Sequence, residues 1–171
     1  MKFRLKAAGI HLLISAAVAL VGIGLVFWVW HPAPLQKAVG VMHIFLMMLG
    51  IDVVLGPLLT LLVASSKEKK TLKFDLSVIA TVQLAAYLYG MHTIAVSRPV
   101  YLAFDKLRFE VVQADSVVRA ADKTILPEYQ SNSLLYPQWV SVRPYKDVME
   151  QNQRTMMEMQ EGISPAMQAD L

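Results

Sequence analysis

The stretch GIDVVLGPLLT, residues 50–60, places a carboxylate, a glycine and a proline inside an otherwise apolar run. A carboxylate at a water-exposed position costs little, whereas insertion scales put an aspartate at the centre of a bilayer at roughly 2.5 to 3.5 kcal/mol. The fold class therefore depends on whether the chain around Asp52 lies in water or in lipid.

The composition favours lipid. Of 171 residues, 56% are hydrophobic and 17% are charged, and the mean hydropathy is +0.46. Residues 7–30, 39–64 and 76–96 each reach the roughly 20 apolar residues that cross a hydrocarbon core, and Asp52 is the one charged residue inside them. We predict a membrane protein with three transmembrane α-helices, the first retained as an anchor because its apolar run is longer than that of a cleaved signal peptide.

Basic residues predict the orientation of these helices, because short cytoplasmic segments hold an excess of Lys and Arg. The basic residues before the first helix and in the second loop are Lys2, Arg4, Lys6, Lys67, Lys69, Lys70 and Lys73, against Lys37 alone in the first loop, HPAPLQK. We expect a multi-pass protein of the cell inner membrane, with a cytoplasmic N-terminus and a periplasmic C-terminal domain. The second loop, SSKEKKTLKF (residues 65–74), is expected to contact anionic lipid through Lys67, Glu68, Lys69 and Lys70.

The composition changes near residue 98, so we predict a membrane domain over residues 1–97 and a small α+β periplasmic domain over residues 98–171. The second segment mixes eight basic with ten acidic residues. VYLAF and LRFEVV, joined at Asp105 and Lys106, predict a β-hairpin, and WVSV (residues 139–142) predicts a third strand.

Two helices are expected in the same domain, over residues 115–121 after the capping Asp115 and over residues 146–161 before Gly162. The second carries an apolar stripe. Its members, which we interpret as ordinary packing surface, are Val148, Met149, Met156 and Met159.

Asp52 lies about 18 Å from the cytoplasmic end of its helix at a rise of about 1.5 Å per residue, near the bilayer midplane. Such a group is expected to face protein and to find a partner or take up a proton. Gln83 and Tyr87 lie at the matching depth in the third helix, and either side chain could donate a hydrogen bond to the carboxylate. The plainer interpretation is that Asp52 only locks the second helix to the third.

Gly56 and Pro57 follow one turn later. Proline removes a backbone donor and crowds the carbonyl of Val53, so a kink is expected there. The plainer interpretation is a proline that a membrane helix tolerates, and the alternative is a groove shaped beside the charge. Gly50 and Gly56 offer surfaces for close helix approach.

Four stretches carry a resemblance to a known family. They are MKFRLKAAGIHLLIS (residues 1–15), GIDVVLGPLLTLLV (50–63), DLSVIATVQLAAYLYGMHT (75–93) and SRPVYLAFDKLRFEVVQAD (97–115). In these stretches the chain resembles the type IV pilin accessory proteins of the TfpX/TfpZ kind. The resemblance implies an inner-membrane, chaperone-like protein without enzymatic activity that assists the stability or pilus assembly of a major pilin.

That resemblance also implies a partner with one hydrophobic helix, which carries a glutamate near its cytoplasmic start. His11, in the first turns of helix one, lies at a depth suited to meet that glutamate. The plainer interpretation is a histidine at the membrane interface without a partner. Besides the pilin, inner-membrane lipids are expected partners, and self-association into a homo-oligomer is left open.

A membrane protein that handles copper or haem is the alternative class. His31, His43 and His92 lie toward the outer ends of the helices among several methionines, and imidazole with thioether ligands suits Cu(I) or haem iron. Their spacing matches no ligand motif, so the sequence predicts no cofactor. Enzymatic activity and nucleic-acid binding are not expected either, since the chain has no cysteine, no histidine after His92 and no phosphate-binding loop.

Overall fold

The computed structural model describes residues 2–64, 69–106, 108–121 and 123–170. It divides into two units, Met1–Ala95 and Val96–Leu171. The boundary thus follows residue 95, where the sequence predicted residue 97.

The first unit contains three long helices. Helix α1 (Lys2–Gly24) continues as a π-helical stretch, Leu25–Trp30; helix α3 spans Val41–Val63 and helix α4 spans Lys69–Val96. A short helix, α2 (Leu35–Ala38), lies in the first loop. Within these helices, Leu5–Trp30, Val41–Val63 and Thr71–Val96 are long and apolar enough to cross a membrane. The predicted three-helix membrane anchor is confirmed.

Helix α4 begins at Lys69, so the prediction of a loop through residue 74 is wrong. Residues 69–74 contain neither glycine nor proline, and Lys and Leu are strong helix formers, so the helix extends beyond its apolar span. The predicted lipid contacts cannot be placed: Lys67 and Glu68 lie outside the described residues, as do the side chains of Lys69 and Lys70.

One stripe of α3 is buried in the helical unit. Its buried residues are Val41, Phe45, Leu49, Gly56 and Thr60. They are spaced by four or seven positions, which places them on one face of a helix. Phe45 is fully buried against Ala19, Val26 and Ile94, and the ring of Phe27 meets it edge-on with centroids 5.4 Å apart.

The second unit is built on a three-stranded sheet of order β2-β1-β3. Strands β1 (Pro99–Asp105) and β2 (Arg108–Gln113) form an antiparallel hairpin, and β3 (Gln138–Ser141) pairs with β1 in parallel. The predicted hairpin and third strand are confirmed. The small core contains Val100, Tyr101, Ala103 and Val112.

The predicted helix over residues 115–121 is wrong. These residues form a turn and then an extended segment in which Val118 pairs with Gln168. The Val118 N–H donates to the Met167 carbonyl at 2.8 Å, and the Ala169 N–H donates to the Val118 carbonyl at 3.0 Å. Extended backbone suits the β-branched pair Val117 and Val118, and the distant chain supplies the bonds that a helix would have formed locally.

Helix α5 spans Val148–Glu161, two residues shorter at its start than predicted. Asp147 is its N-cap and accepts the Glu150 N–H at 2.7 Å, while Gly162 ends it in the left-handed region at φ 70°.

The interpretation of the α5 stripe as packing surface is wrong. Met149 is 71% exposed and Met159 is 77% exposed, and Val148 and Met156 are exposed as well. The buried residue of α5 is Arg154, whose guanidinium donates to the Asp170 carboxylate at 2.7 Å. This ion pair, rather than the apolar stripe, faces the domain interior.

Candidate functional site

The helical unit contains a cavity of about 240 Å³, which we call the bundle cavity. Helices α1, α3 and α4 all contribute to its wall. Its polar lining residues are His11, Ser15, Asp52, Gln83 and Tyr87, and the rest of the lining is apolar. The sequence singled out six residues of the spans as candidate partner-binding or structural residues. Four of them line this one cavity: His11, Asp52, Gln83 and Tyr87.

Asp52 is partly buried in this cavity, and its Oδ2 atom has no hydrogen-bond partner among the described residues. Gln83 does not reach that carboxylate, contrary to one of the predicted pairings. Its Nε2 donates instead to the main-chain carbonyl of Asp52 at 3.0 Å, which leaves Gln83 Oε1 buried and also unpaired within the described part of the chain. Two residues that line the cavity therefore carry buried acceptors without a donor.

Tyr87 does not donate to Asp52 either. Its hydroxyl donates to the Val18 carbonyl of α1 at 3.4 Å, so this side chain links α4 to α1. The predicted lock between the second and third transmembrane helices does exist, but it runs from Gln83 to the main chain of Asp52. The Asp52 side chain is left for another role.

Glycines allow the helices to approach closely around the cavity. A Cβ atom added at Gly56 would lie 2.5 Å from Gln83 Oε1 and 2.7 Å from its Cδ, so a side chain there would displace the Gln83 amide. A Cβ atom at Gly22 would lie 2.5 Å from the Tyr87 hydroxyl. Gly56 is a close-approach position as predicted, whereas the same prediction for Gly50 is wrong, because nothing lies within 4 Å of a Cβ atom there.

His11 pairs with a residue that the sequence interpretation did not single out. Its Nδ1 shares a hydrogen bond of 2.6 Å with Thr60 Oγ1, and Thr60 is 1% exposed. Thr60 follows Asp52 and Gly56 at successive intervals of four, on one ridge of α3. Thr60 could have been found in the sequence from this four-residue spacing. His11 thus has a partner within the chain, its Nε2 is not engaged by this bond, and both interpretations of His11 toward a pilin glutamate stay predictions.

Pro57 lies inside α3, whose helical assignment is continuous from Val41 to Val63. Neither Pro57 nor Gly56 is among the residues that line the bundle cavity. The predicted kink therefore stays a prediction, and the contribution of Gly56 to the cavity is indirect, through the space that it leaves for Gln83.

The three histidines of the metal interpretation lie in different environments. His31 is 1% exposed and its Nδ1 donates to the Val26 carbonyl at 3.2 Å, while His43 and His92 are exposed. Among the described residues, no three His, Cys, Asp or Glu side chains form a group that could hold a metal ion. The geometry gives this alternative no support.

Comparisons with known proteins agree on one family. Residues 1–40 match the family described as "Fimbrial assembly protein FimB". The fimbrial assembly protein of Dichelobacter nodosus serogroups C1 and C2 is 42% identical over 104 residues, which cover 60% of this chain and 79% of that relative. The chain belongs to the fimbrial assembly protein family.

Two longer members of the fimbrial assembly protein family match almost the whole chain. The D. nodosus proteins of serogroups I and E1 are each 34% identical over 167 residues, which is 97% of this chain. The chain spans 62% of the length of each of these relatives. Membership of the family confirms the resemblance to type IV pilus accessory proteins. No solved structure matches the chain significantly.

Proposed function

We propose that this protein is an inner-membrane accessory protein of type IV pilus assembly, and that it binds the major pilin through the bundle cavity. The observation that carries the proposal is a mostly apolar cavity inside a three-helix membrane anchor, lined by Asp52 and Gln83, whose buried Oδ2 and Oε1 atoms have no hydrogen-bond partner among the described residues. The names of the relatives, all fimbrial assembly proteins, supply the process in which that cavity would act.

The unpaired polar atoms of Asp52 and Gln83 favour the binding of a partner that supplies a donor. No water reaches the hydrocarbon core to satisfy Asp52 and Gln83, so a donor from another polypeptide would lower their free energy. Interhelical hydrogen bonds of this kind contribute about 0.6 to 2 kcal/mol. A partner with a transmembrane helix, as in a pilin subunit before assembly, can supply such a donor at the right depth.

The surface of the bundle leaves room for that helix. Within the third span, Thr71–Val96, only Leu72 and Ile94 are buried, compared with five residues of α3. Leu84 is 56% exposed and lines the cavity, so the cavity can be reached along α4. A second hydrophobic helix on this side would cover apolar surface and close the cavity over its polar groups.

Site-specific photo-crosslinking in living cells tests the proposal. p-Benzoylphenylalanine at position 84 replaces Leu84 at the cavity, and the same residue at position 82 replaces Val82, which is 62% exposed on α4 but does not line the cavity. We expect an adduct with pilin from position 84 and little from position 82. Deletion of the gene should also lower surface pili while the pilin transcript level is unchanged.

Three outcomes would contradict the proposal. Equal pilin adducts from both positions would mean non-specific contact, and the absence of pilin adducts from position 84 would remove pilin from the cavity. An adduct with twice the mass of this chain would assign the cavity to a homo-oligomer instead.

A further inference from the structure

The C-terminal unit contains a second cavity, of about 380 Å³, which we call the sheet cavity. It lies between the sheet and residues 165–170 and is larger than the bundle cavity. Tyr101 and Ala103 of β1 and Val140 of β3 contribute to its wall, as do Val117 and Met167. Apolar space of this size beside a core of four buried side chains is space that a ligand can fill with favourable contacts.

Two polar atoms on residues that line the sheet cavity lack a hydrogen-bond partner in the described part of the chain. They are the Tyr101 hydroxyl and Gln168 Oε1, on side chains that are 5% and 4% exposed. Buried polar groups in folded proteins nearly always have a partner. The wall of the cavity therefore contains a buried acceptor at Gln168 and a buried hydroxyl at Tyr101 that an occupant could pair.

The charge at the cavity wall is already neutralised. Arg143 contributes to the lining, and its guanidinium binds both carboxylate oxygens of Glu150, at 2.6 and 3.1 Å. The second ion pair near the cavity joins Asp170 to Arg154. An occupant with apolar bulk and uncharged N–H, O–H or carbonyl groups matches this wall better than an ion does.

The sheet provides a main-chain edge beside the same cavity. Within the described part of the chain, strand β3 pairs with β1 on one side and is an edge strand of the sheet. The Val142 N–H donates to the Phe104 carbonyl at 3.0 Å, so the main-chain groups of Ser141, one residue earlier, are directed toward the opposite, open edge. Val140, Ser141, Val142 and Arg143 all line the cavity.

We propose that this domain binds an extended peptide segment of another protein, which pairs with the open edge of β3 and places one uncharged side chain in the sheet cavity. An unpaired strand edge with an adjacent side-chain pocket is how several domains hold extended peptides. The edge supplies main-chain hydrogen bonds, and Tyr101 and Gln168 bind polar groups of the inserted residue. This proposal does not depend on pilin binding in the membrane.

The test is selection of a phage-displayed library of short random peptides on the full chain in lipid nanodiscs. We expect enriched sequences that share an uncharged residue at one position. On either side of it, we expect the sequence preference to recur at every second residue, as in a strand. The dissociation constant of a fluorescent copy of an enriched peptide is then measured by anisotropy. N-methylation of alternate peptide nitrogens should weaken binding, because it removes main-chain donors.

Matched variants separate the edge from the cavity. Ser141→Pro removes the open-edge N–H and Ser141→Ala keeps it, so we expect binding about tenfold or more weaker for the first and unchanged for the second. Ala166→Phe fills the cavity from its wall and should weaken binding similarly, while Ala120→Phe, outside the cavity, should not. Circular dichroism and thermal melting check that each variant is folded.

The proposal is overturned if no sequence is enriched, or if enriched peptides bind Ser141→Pro and Ala166→Phe as tightly as the unaltered chain. It is also overturned if Ala166→Phe blocks binding while Ser141→Pro does not, since the cavity would then take a side chain or small molecule without strand pairing.

Discussion

Asp52 and Gln83 line the bundle cavity and carry acceptors that the helices do not pair. Within Asp52, different atoms can therefore serve stability and partner binding. The hydrogen bond that joins α3 to α4 uses the Asp52 main chain. The carboxylate can therefore be replaced without loss of that bond. In the proposed function, the carboxylate serves to bind the partner.

Replacement of Asp52 by Leu should leave the unfolding free energy of the detergent-solubilised chain unchanged or raise it, because an unpaired carboxylate is removed from an apolar span. Co-purification of pilin should fall about tenfold, which corresponds to about 1.4 kcal/mol. Val54→Leu, on an exposed position of the same helix, is the control. Pilin recovery equal to that of the unaltered chain, for both Asp52→Leu and His11→Ala, would remove these residues from the binding mechanism.

Gly56→Ala should destabilise the bundle by about 1 kcal/mol, because the new methyl group displaces the Gln83 amide from the Asp52 carbonyl. Gly50→Ala is the matched control and should be neutral or stabilising, since its Cβ meets nothing within 4 Å and alanine favours a helix. Thermal unfolding in one detergent measures both. Equal effects of the two substitutions would contradict the close approach of Gln83 to Gly56.

The depth of each polar side chain along its helix was predictable from the sequence. The atom to which that side chain donates its hydrogen bond was not. Counting residues from the helix ends placed Gln83 and Tyr87 beside Asp52, and all three line one cavity. The rotation of a helix that is apolar on every face is not encoded in its hydrophobic pattern. For that reason the donation of Gln83 to a main-chain carbonyl, and of Tyr87 to Val18, could not be foreseen.

Hydrogen bonds to Glu150 make the stability of helix α5 depend on pH. Glu150 accepts two bonds from Arg143 and a third, at 2.7 Å, from the Lys146 N–H. Arg143 first, and then the Lys146 N–H, lower the pKa of Glu150 from 4.5 to about 2. A carboxyl group whose pKa is lower in the folded state stabilises that state when it is ionised.

The C-terminal domain should therefore lose stability as the pH falls from 4.5 toward about 2, and keep the full Glu150 contribution above that window. Glu150→Gln should lower stability at neutral pH and flatten the dependence in this acidic range. Tryptophan fluorescence of the full chain, which reports Trp139 with the other tryptophans, follows the transition. Glu161→Gln at the end of the same helix is the control, and a Glu150→Gln profile parallel to that of the unaltered chain would refute the assignment.

Local signals predicted the elements whose hydrogen bonds are local. The hairpin, β3 and the end of α5 at Gly162 follow from alternation and from a helix-stop residue. The segment around Val118 departs from its prediction because its partner, Gln168, lies 50 residues further along the chain. The same applies to Arg154, whose closest ion-pair partner, Asp170, lies 16 residues further along the chain.

The whole molecule joins an apolar three-helix unit to a water-compatible sheet domain, and the distribution of basic residues predicts its orientation in the membrane. Alkaline phosphatase joined to the C-terminus through a flexible linker should be active, and the same reporter inserted in residues 65–68 should be inactive, because the flanks of the second loop hold the basic excess. Activity in cells is normalised to the amount of fusion protein. The reverse pattern would place the sheet domain in the cytoplasm and contradict its predicted periplasmic position.

The outward-facing methionines of α5 give this protein a built-in chemical footprint. With ten methionines and no cysteine, a mild peroxide treatment acts mainly on thioethers, and solvent access governs how fast each becomes a sulfoxide. Met149 and Met159 would convert early in the isolated chain because most of their surface is open. Mass spectrometry of the protein taken from piliated cells would then reveal, by slower conversion at these two positions, whether another molecule shields this side of the helix.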